Sequence, residues 1–168
     1  MKVGDVIEDF DYEAYQNGNF IKGKFSDHDG KWVILFFYFR DFSSVCQTEM
    51  KGLAHKMNEF EKEGAVIIGA STDSKLSHKA WFETYMTEVK FPVIADSSQS
   101  IADYFDILLA DGGALRGTFI ISPEGVLMYE VVSDIEVGRS VEETFRVFKA
   151  LKTGKACPLE WKPGQPTL

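Results

Sequence analysis

From Lys31 the chain runs through Trp32-Val33-Ile34-Leu35-Phe36-Phe37-Tyr38-Phe39 without a polar break. Eight consecutive apolar, aromatic and β-branched residues fit a strand buried on both faces, which places this segment at the centre of a sheet covered on each side. A second apolar run, Ala65 to Ala70, fits a neighbouring buried strand. Between the two the hydrophobic period changes: Leu53, Met57 and Phe60 share one face of a helix predicted from Ser44 to Glu63 and ended by Gly64. Ser74 to Met86 reads as another amphipathic helix, with Leu76, Ala80 and Trp81 turned inward. Phe91 to Asp96 predicts a short strand at an edge or bend, and Ser100 to Phe105 a short helix. Thr118–Ile121 and Val126–Val132 flank the turn sequence Ser122-Pro123-Glu124-Gly125 and so pair as an antiparallel hairpin. The capping box Ser140-Val141-Glu142-Glu143 opens a last helix that runs to Lys152. Asn17-Gly18-Asn19 marks an N-terminal hairpin, and the Gly- and Pro-rich stretch 153–168 reads as an extended, mobile C-terminal arm without regular structure.

This order of strands and helices predicts an α/β protein with a thioredoxin-like fold: a mixed central sheet flanked by helices, in one domain over residues 1–168. A net charge of −8 repels phosphate backbones and anionic lipid, which argues against nucleic-acid binding and membrane-surface binding. No apolar run is long enough to cross a membrane, and the start Met1-Lys2-Val3-Gly4-Asp5 has no signal-peptide pattern, so the expected location is cytoplasmic.

Only two cysteines are present, Cys46 and Cys157, too few for a disulfide-rich scaffold or a four-thiolate zinc site. In a reducing compartment they are either two unrelated buried side chains or a working pair. Cys46 falls at the start of the long predicted helix, where unpaired N–H groups and the helix dipole favour an anion such as a thiolate. Position alone does not separate a reactive thiol from a small buried hydrophobe.

The surrounding string does. Phe36-Phe37-Tyr38-Phe39-Arg40-Asp41-Phe42-Ser43-Ser44-Val45-Cys46-Gln47-Thr48-Glu49 resembles the active-site segment of the peroxiredoxins, FFYPxDFTxVCPTE. Further matches follow in order: Ser71-Thr72-Asp73-Ser74 with Ser77-His78-Lys79-Ala80-Trp81, Phe91 to Asp96, Leu115 to Gly125, Val137 to Ser140, and Lys155 to Gly164 around Cys157. Together they resemble the typical two-cysteine peroxiredoxins of the alkyl hydroperoxide reductase and thioredoxin peroxidase type. The resemblance implies a thiol-dependent peroxidase in which Cys46 attacks hydrogen peroxide or an organic hydroperoxide, Ser43 offers its hydroxyl to the peroxide, and Arg116 stabilises the charge that develops. Glu49 and Arg139 are implied as a pair that holds Arg116. Cys157 is implied as the resolving cysteine, reaching Cys46 of a second copy of the chain. The resemblance further implies a homodimer through the strand Val126–Val132, in some members a ring of five dimers, with a thioredoxin or flavoprotein disulfide reductase as electron donor. No metal or other cofactor is implied.

Two departures stand out. Phe39 and Gln47 occupy positions that are proline in the motif, and with Tyr38 they are the expected pocket residues. A phenylalanine has two soft torsions and more volume than a pyrrolidine ring, so pocket width and rate are expected to differ. The alternative reading is a catalytically weakened peroxiredoxin acting as a holdase chaperone or redox-signalling partner. The Gly-Gly-Leu-Gly insert associated with over-oxidation of the first cysteine is absent. His28, His55 and His78 lack metal-ligand spacing and read as surface or capping residues, Gly112-Gly113 lacks the Lys of a phosphate loop, and Trp81 and Trp161 read as packing anchors.

Overall fold

In the computed structural model, which describes residues 1–168, β3 (Trp32–Phe37) is the central strand. It pairs in parallel with β4 (Ala65–Ser71), and β4 in parallel with β5 (Val93–Ala95). On its other side it pairs antiparallel with β6 (Arg116–Ile121), which turns back through residues 122–126 into β7 (Leu127–Ser133). The N-terminal hairpin, β1 (Asp11–Gln16) and β2 (Asn19–Lys24), extends the sheet because β1 pairs with β5. The order is therefore β2-β1-β5-β4-β3-β6-β7, a seven-stranded mixed sheet with β7 on one edge.

The alternation of side chains along β3 explains the two-sided core. Val33, Leu35 and Phe37 enter one layer with Ile68, Phe105 and Phe119, whereas Ile34, Phe36 and Tyr38 enter the other with Cys46, Leu53, Phe60 and Phe148. The helices are α1 (Ser44–Lys62), α2 (Lys75–Tyr85), the short α3 (Ser100–Tyr104) and α4 (Val141–Lys152).

Several expectations need correction. The central strand stops at Phe37: the Tyr38 amide still donates to the Ala70 carbonyl of β4, and beyond it the chain begins the segment that leads into α1. The Phe91–Asp96 segment is not at an edge: β5 is flanked by β1 and β4, and Pro92 is tolerated just outside the strand, where its carbonyl accepts the Gly69 amide. In α2 the inward face is His78, Trp81 and Phe82, spaced i, i+3 and i+4, while Leu76 and Ala80 point to solvent. His78 is thus a buried core residue and neither a surface nor a capping group. At α4, Ser140 accepts the Glu143 amide, but the Glu143 carboxylate turns to Arg146, so only half of the capping box forms. The arm has no regular structure, yet it folds against α4: Trp161 is buried, its indole N–H donates to the Gln165 carbonyl, and Arg146 donates to the Trp161 carbonyl.

Candidate active site

Cys46 lies in the first turn of α1, wholly buried. Ser43 is the N-cap, with an extended backbone; its carbonyl accepts the Gln47 amide at 3.0 Å, and its hydroxyl makes no capping bond. Gln47 holds its place as a helix former where the motif has proline.

Arg116, the first residue of β6, crosses to the same layer and is only 1% exposed. Its Nη1 donates to Cys46 Sγ at 3.2 Å and to Glu49 Oε1 at 2.7 Å, and its Nε donates to the Ile135 carbonyl at 2.9 Å. Glu49, one turn beyond Cys46 on α1, is equally buried and bridges a second arginine: Arg139 donates from Nε to Oε2 at 2.8 Å and from Nη2 to Oε1 at 3.0 Å. Arg139 also donates to the Gly117 carbonyl and to Thr118 Oγ1, and its guanidinium lies 3.4 Å from the Phe36 ring centroid. One buried carboxylate thus holds two guanidinium groups in fixed positions. Burial pushes the Glu49 carboxyl up, but the hydrogen bonds and charge of Arg139, joined by Arg116, outweigh it and leave Glu49 below the ordinary carboxylate range. Burial depresses Arg139, the Glu49 pairing opposing it. The pairing needs this geometry because an unpaired charge at such depth costs several kcal/mol.

The structure therefore brings Cys46, Arg116, Glu49 and Arg139 together. Tyr38 does not line an opening: it is fully buried, and its hydroxyl donates to Asp41 Oδ1 at 2.6 Å. Burial, reinforced by Asp41, raises the Tyr38 hydroxyl well above its usual range. Phe39 is half-buried, with the Arg40 guanidinium 4.4 Å from its ring centroid. Cys157 lies apart in the arm, half-buried, with only long contacts to Thr153 Oγ1 (3.6 Å), Lys155 O (3.7 Å) and Ala150 O (3.8 Å). It borders a cavity of about 550 Å³ lined by Met128, Val147 and Leu151.

Sequence reasoning misses a second polar cluster under the Cys46 segment. His78 Nδ1 pairs with Asp41 Oδ2 at 2.7 Å, and His78 Nε2 donates to the Ile94 carbonyl at 3.0 Å. The Asp41 amide donates to Asp73 Oδ2, which also accepts from Ser71 Oγ. Asp41, Asp73 and His78 bring one ligand-type atom each within 4.8 Å of one another, but the bonds just described already join them to each other and to the backbone. They pin the start of the segment that carries the thiol. The roles of the Ile135 carbonyl, Thr118 and Phe36 also have no signal in the sequence, because each depends on chain crossings far from Cys46.

Comparison with known proteins identifies the family. The AhpC/TSA family matches residues 3–130. The chain is 42% identical over 177 residues to the chloroplastic 2-Cys peroxiredoxin BAS1 of Hordeum vulgare, covering 99% of this chain and 84% of the relative. The reduced 2-Cys peroxiredoxin of Plasmodium vivax superposes with a TM-score of 0.94 at 29% identity, covering 98% of this chain and 91% of that one. AhpC of Enterococcus faecalis superposes with a TM-score of 0.89 at 33% identity, covering 93% of this chain and 98% of that one. The chain is therefore a member of the AhpC/TSA family, a peroxiredoxin and hence a thiol-dependent peroxidase.

Proposed function

We propose that Cys46 is the peroxidatic nucleophile and Cys157 the resolving thiol of a two-cysteine cycle. The observation that carries this reading is the 3.2 Å approach of Arg116 Nη1 to Cys46 Sγ, with Arg116 fixed by Glu49 and Ile135. The Cys46 thiolate attacks the terminal oxygen of a peroxide; the O–O bond breaks, Cys46 becomes a sulfenic acid, and the departing oxygen leaves as water or an alcohol after taking up a proton. Arg116 donates to the charge that grows on the reacting oxygens, and Ser43 donates its free hydroxyl to the bound peroxide. Glu49 and Arg139 are positioning residues for Arg116. Cys157 of a second copy then attacks the sulfenic sulfur, water leaves, and a disulfide forms; a dithiol donor of the thioredoxin type or a flavoprotein disulfide reductase reopens it.

The copies meet, on this reading, along the edge strand β7, where Met128, Val131 and Val132 are exposed apolar residues. The dimer is the unit we propose, with a ring of dimers as its higher form. A chain with only two cysteines, too few for a disulfide-rich scaffold, suits a reducing, cytoplasmic setting. Peroxide turnover is expected to vanish in Cys46→Ser, whereas Cys157→Ser retains one turnover and accumulates the sulfenic acid. Full cycling of Cys157→Ser with a thioredoxin donor overturns the two-cysteine scheme. Absence of turnover in the unaltered protein, with suppression of aggregation retained, replaces the catalytic reading with the holdase one.

A further inference from the structure

Gly112-Gly113, unassigned by the sequence motifs, meets the residue that departs most from them. A Cβ built on Gly113 would lie 2.6 and 3.0 Å from two ring carbons of Phe39 and 3.2 Å from Arg40 Nη2. The Phe39 ring thus rests on backbone that only glycine leaves clear, while the Gly113 backbone itself is one any residue can adopt. Arg40 covers the ring at 4.4 Å from its centroid and reaches Asp111 Oδ2 at 3.3 Å. Asp111 Oδ1 accepts the Gly113 amide, the Leu109 amide donates to the Gly113 carbonyl, and Thr72 Oγ1 donates to the Gly112 carbonyl at 2.6 Å. The 109–113 turn is therefore built rigidly against Phe39, and it leads directly into Arg116.

We propose that Phe39 and Gly113, drawn together by Arg40 and Asp111, form a clasp that joins the segment leading to Cys46 with the loop leading to Arg116, and sets how readily the Cys46 segment opens. The need for opening follows from geometry. Cys46 is wholly buried, yet a disulfide requires the two sulfurs to approach to ~2.05 Å. The inference rests on the two-cysteine reading above. In that step Cys46–SOH and Cys157–SH give the S–S bond and one water, so no further oxidant is needed. Asp41 and His78 hold the segment from beneath, and the clasp holds it from the side of the Arg116 loop. A proline at position 39 has no ring that reaches over the neighbouring loop in this way, so opening is governed here by a side-chain contact that can be adjusted.

The test is a double-mutant cycle read on two separate steps. Gly113→Ala pushes the ring off its seat and is expected to speed disulfide closure after one equivalent of hydrogen peroxide by roughly threefold to tenfold, with the second-order peroxide reaction within about twofold of the parent. Asp111→Asn, a surface change that leaves the core intact, speeds closure by about twofold. In a Phe39→Ala background Gly113→Ala adds nothing, because the ring it would displace is gone. Closure is quenched by alkylation and read on non-reducing gels. Amide hydrogen exchange of residues 40–46 in reduced Cys157→Ser protein reports opening without any disulfide chemistry, so failure of the clasp and failure of the two-cysteine scheme are separable. Unchanged exchange and closure in Gly113→Ala, additive effects in the double variant, or a parallel fall in the peroxide step each overturn the proposal.

Discussion

The surroundings of Cys46 and Cys157 are opposites. Cys46 sits at a helix start in a dry layer, with a guanidinium at its sulfur and a buried carboxylate holding that guanidinium. Cys157 sits in a segment without regular structure, its hydrogen bonds only long ones to a hydroxyl and two carbonyls, with no charged group bonded to its sulfur. On the proposed two-cysteine cycle the contrast matches two different demands. A thiol that must meet a small peroxide gains from fixed donors, since these need not reorganise as charge develops. A thiol that must meet another protein sulfur gains from a tether that can let go.

The sharpest way to break this contrast is to remove the fixed donor. Arg116→Lys keeps the charge but cannot span Cys46, Glu49 and the Ile135 carbonyl at once, because an ammonium lacks the planar fork. Glu49 keeps Arg139 as a partner, so the fold is expected to survive. The second-order rate of peroxide reduction should fall by ~10²–10³, the usual scale for losing one preorganised donor. Alkylation of Cys157 should not change. Stopped-flow oxidation and thiol labelling of the same protein check both halves.

How much of this is legible in the sequence depends on the range of the signal. β3, α1 and β4 announce themselves because burial on both faces and a 3.6-residue period are local properties, and the Ser122–Gly125 turn names its own hairpin. The site residues Cys46, Arg116, Glu49 and Arg139 are reached through resemblance; charge pattern alone gives no reason to bury two arginines on one glutamate. The sequence leaves β5 at an edge or a bend because three residues after a proline fit either, and only pairing on both sides places it inside the sheet. His78 misleads for a related reason. Its partners, Asp41 and the Ile94 carbonyl, come from other elements, and counting histidine as polar keeps Trp81 inward but points Leu76 and Ala80 inward in place of His78 and Phe82. Phe39 can be flagged as a departure from the motif, but not assigned to Gly113, since nothing in a sequence shows a missing Cβ to be required.

A second prediction sharpens the contrast from the side of the arm. Trp161 anchors the arm through its buried indole and its N–H bond to Gln165, and its carbonyl accepts from Arg146. In a core element, Trp→Ala costs ~3–5 kcal/mol. In an arm without regular structure most of that cost appears as release of the arm and little as global unfolding. Trp161→Ala should therefore raise the alkylation rate of Cys157 by about tenfold, leave Cys46 oxidation unchanged, and shift Tm only slightly. A loss of Cys46 reactivity on the same scale would show that the two regions are not independent.

The smallest effect lies at the junction between the two regions. Glu63, at the end of α1, pairs with Lys149 and Lys152 of α4, both at 2.8 Å, and so ties the helix carrying Cys46 to the helix that precedes the arm. The hydrogen bonds from Lys149 and Lys152 lower the Glu63 carboxyl from 4.5 to about 2. Because the folded value is depressed, the stabilisation is complete above the unfolded value and is lost as pH falls from about 4.5 toward 2. The groups are about a third exposed, so solvent and salt screen the pair, and its contribution is at most ~1 kcal/mol. Denaturant titrations of Glu63→Gln should show a loss of that size at pH 7 and a shallower fall of stability across this window than in the parent protein, with the difference shrinking in high salt. If the α1–α4 junction also governs the thiols, Glu63→Gln will change the alkylation rates of Cys46 and Cys157 together; independence of the two sites requires that it change neither.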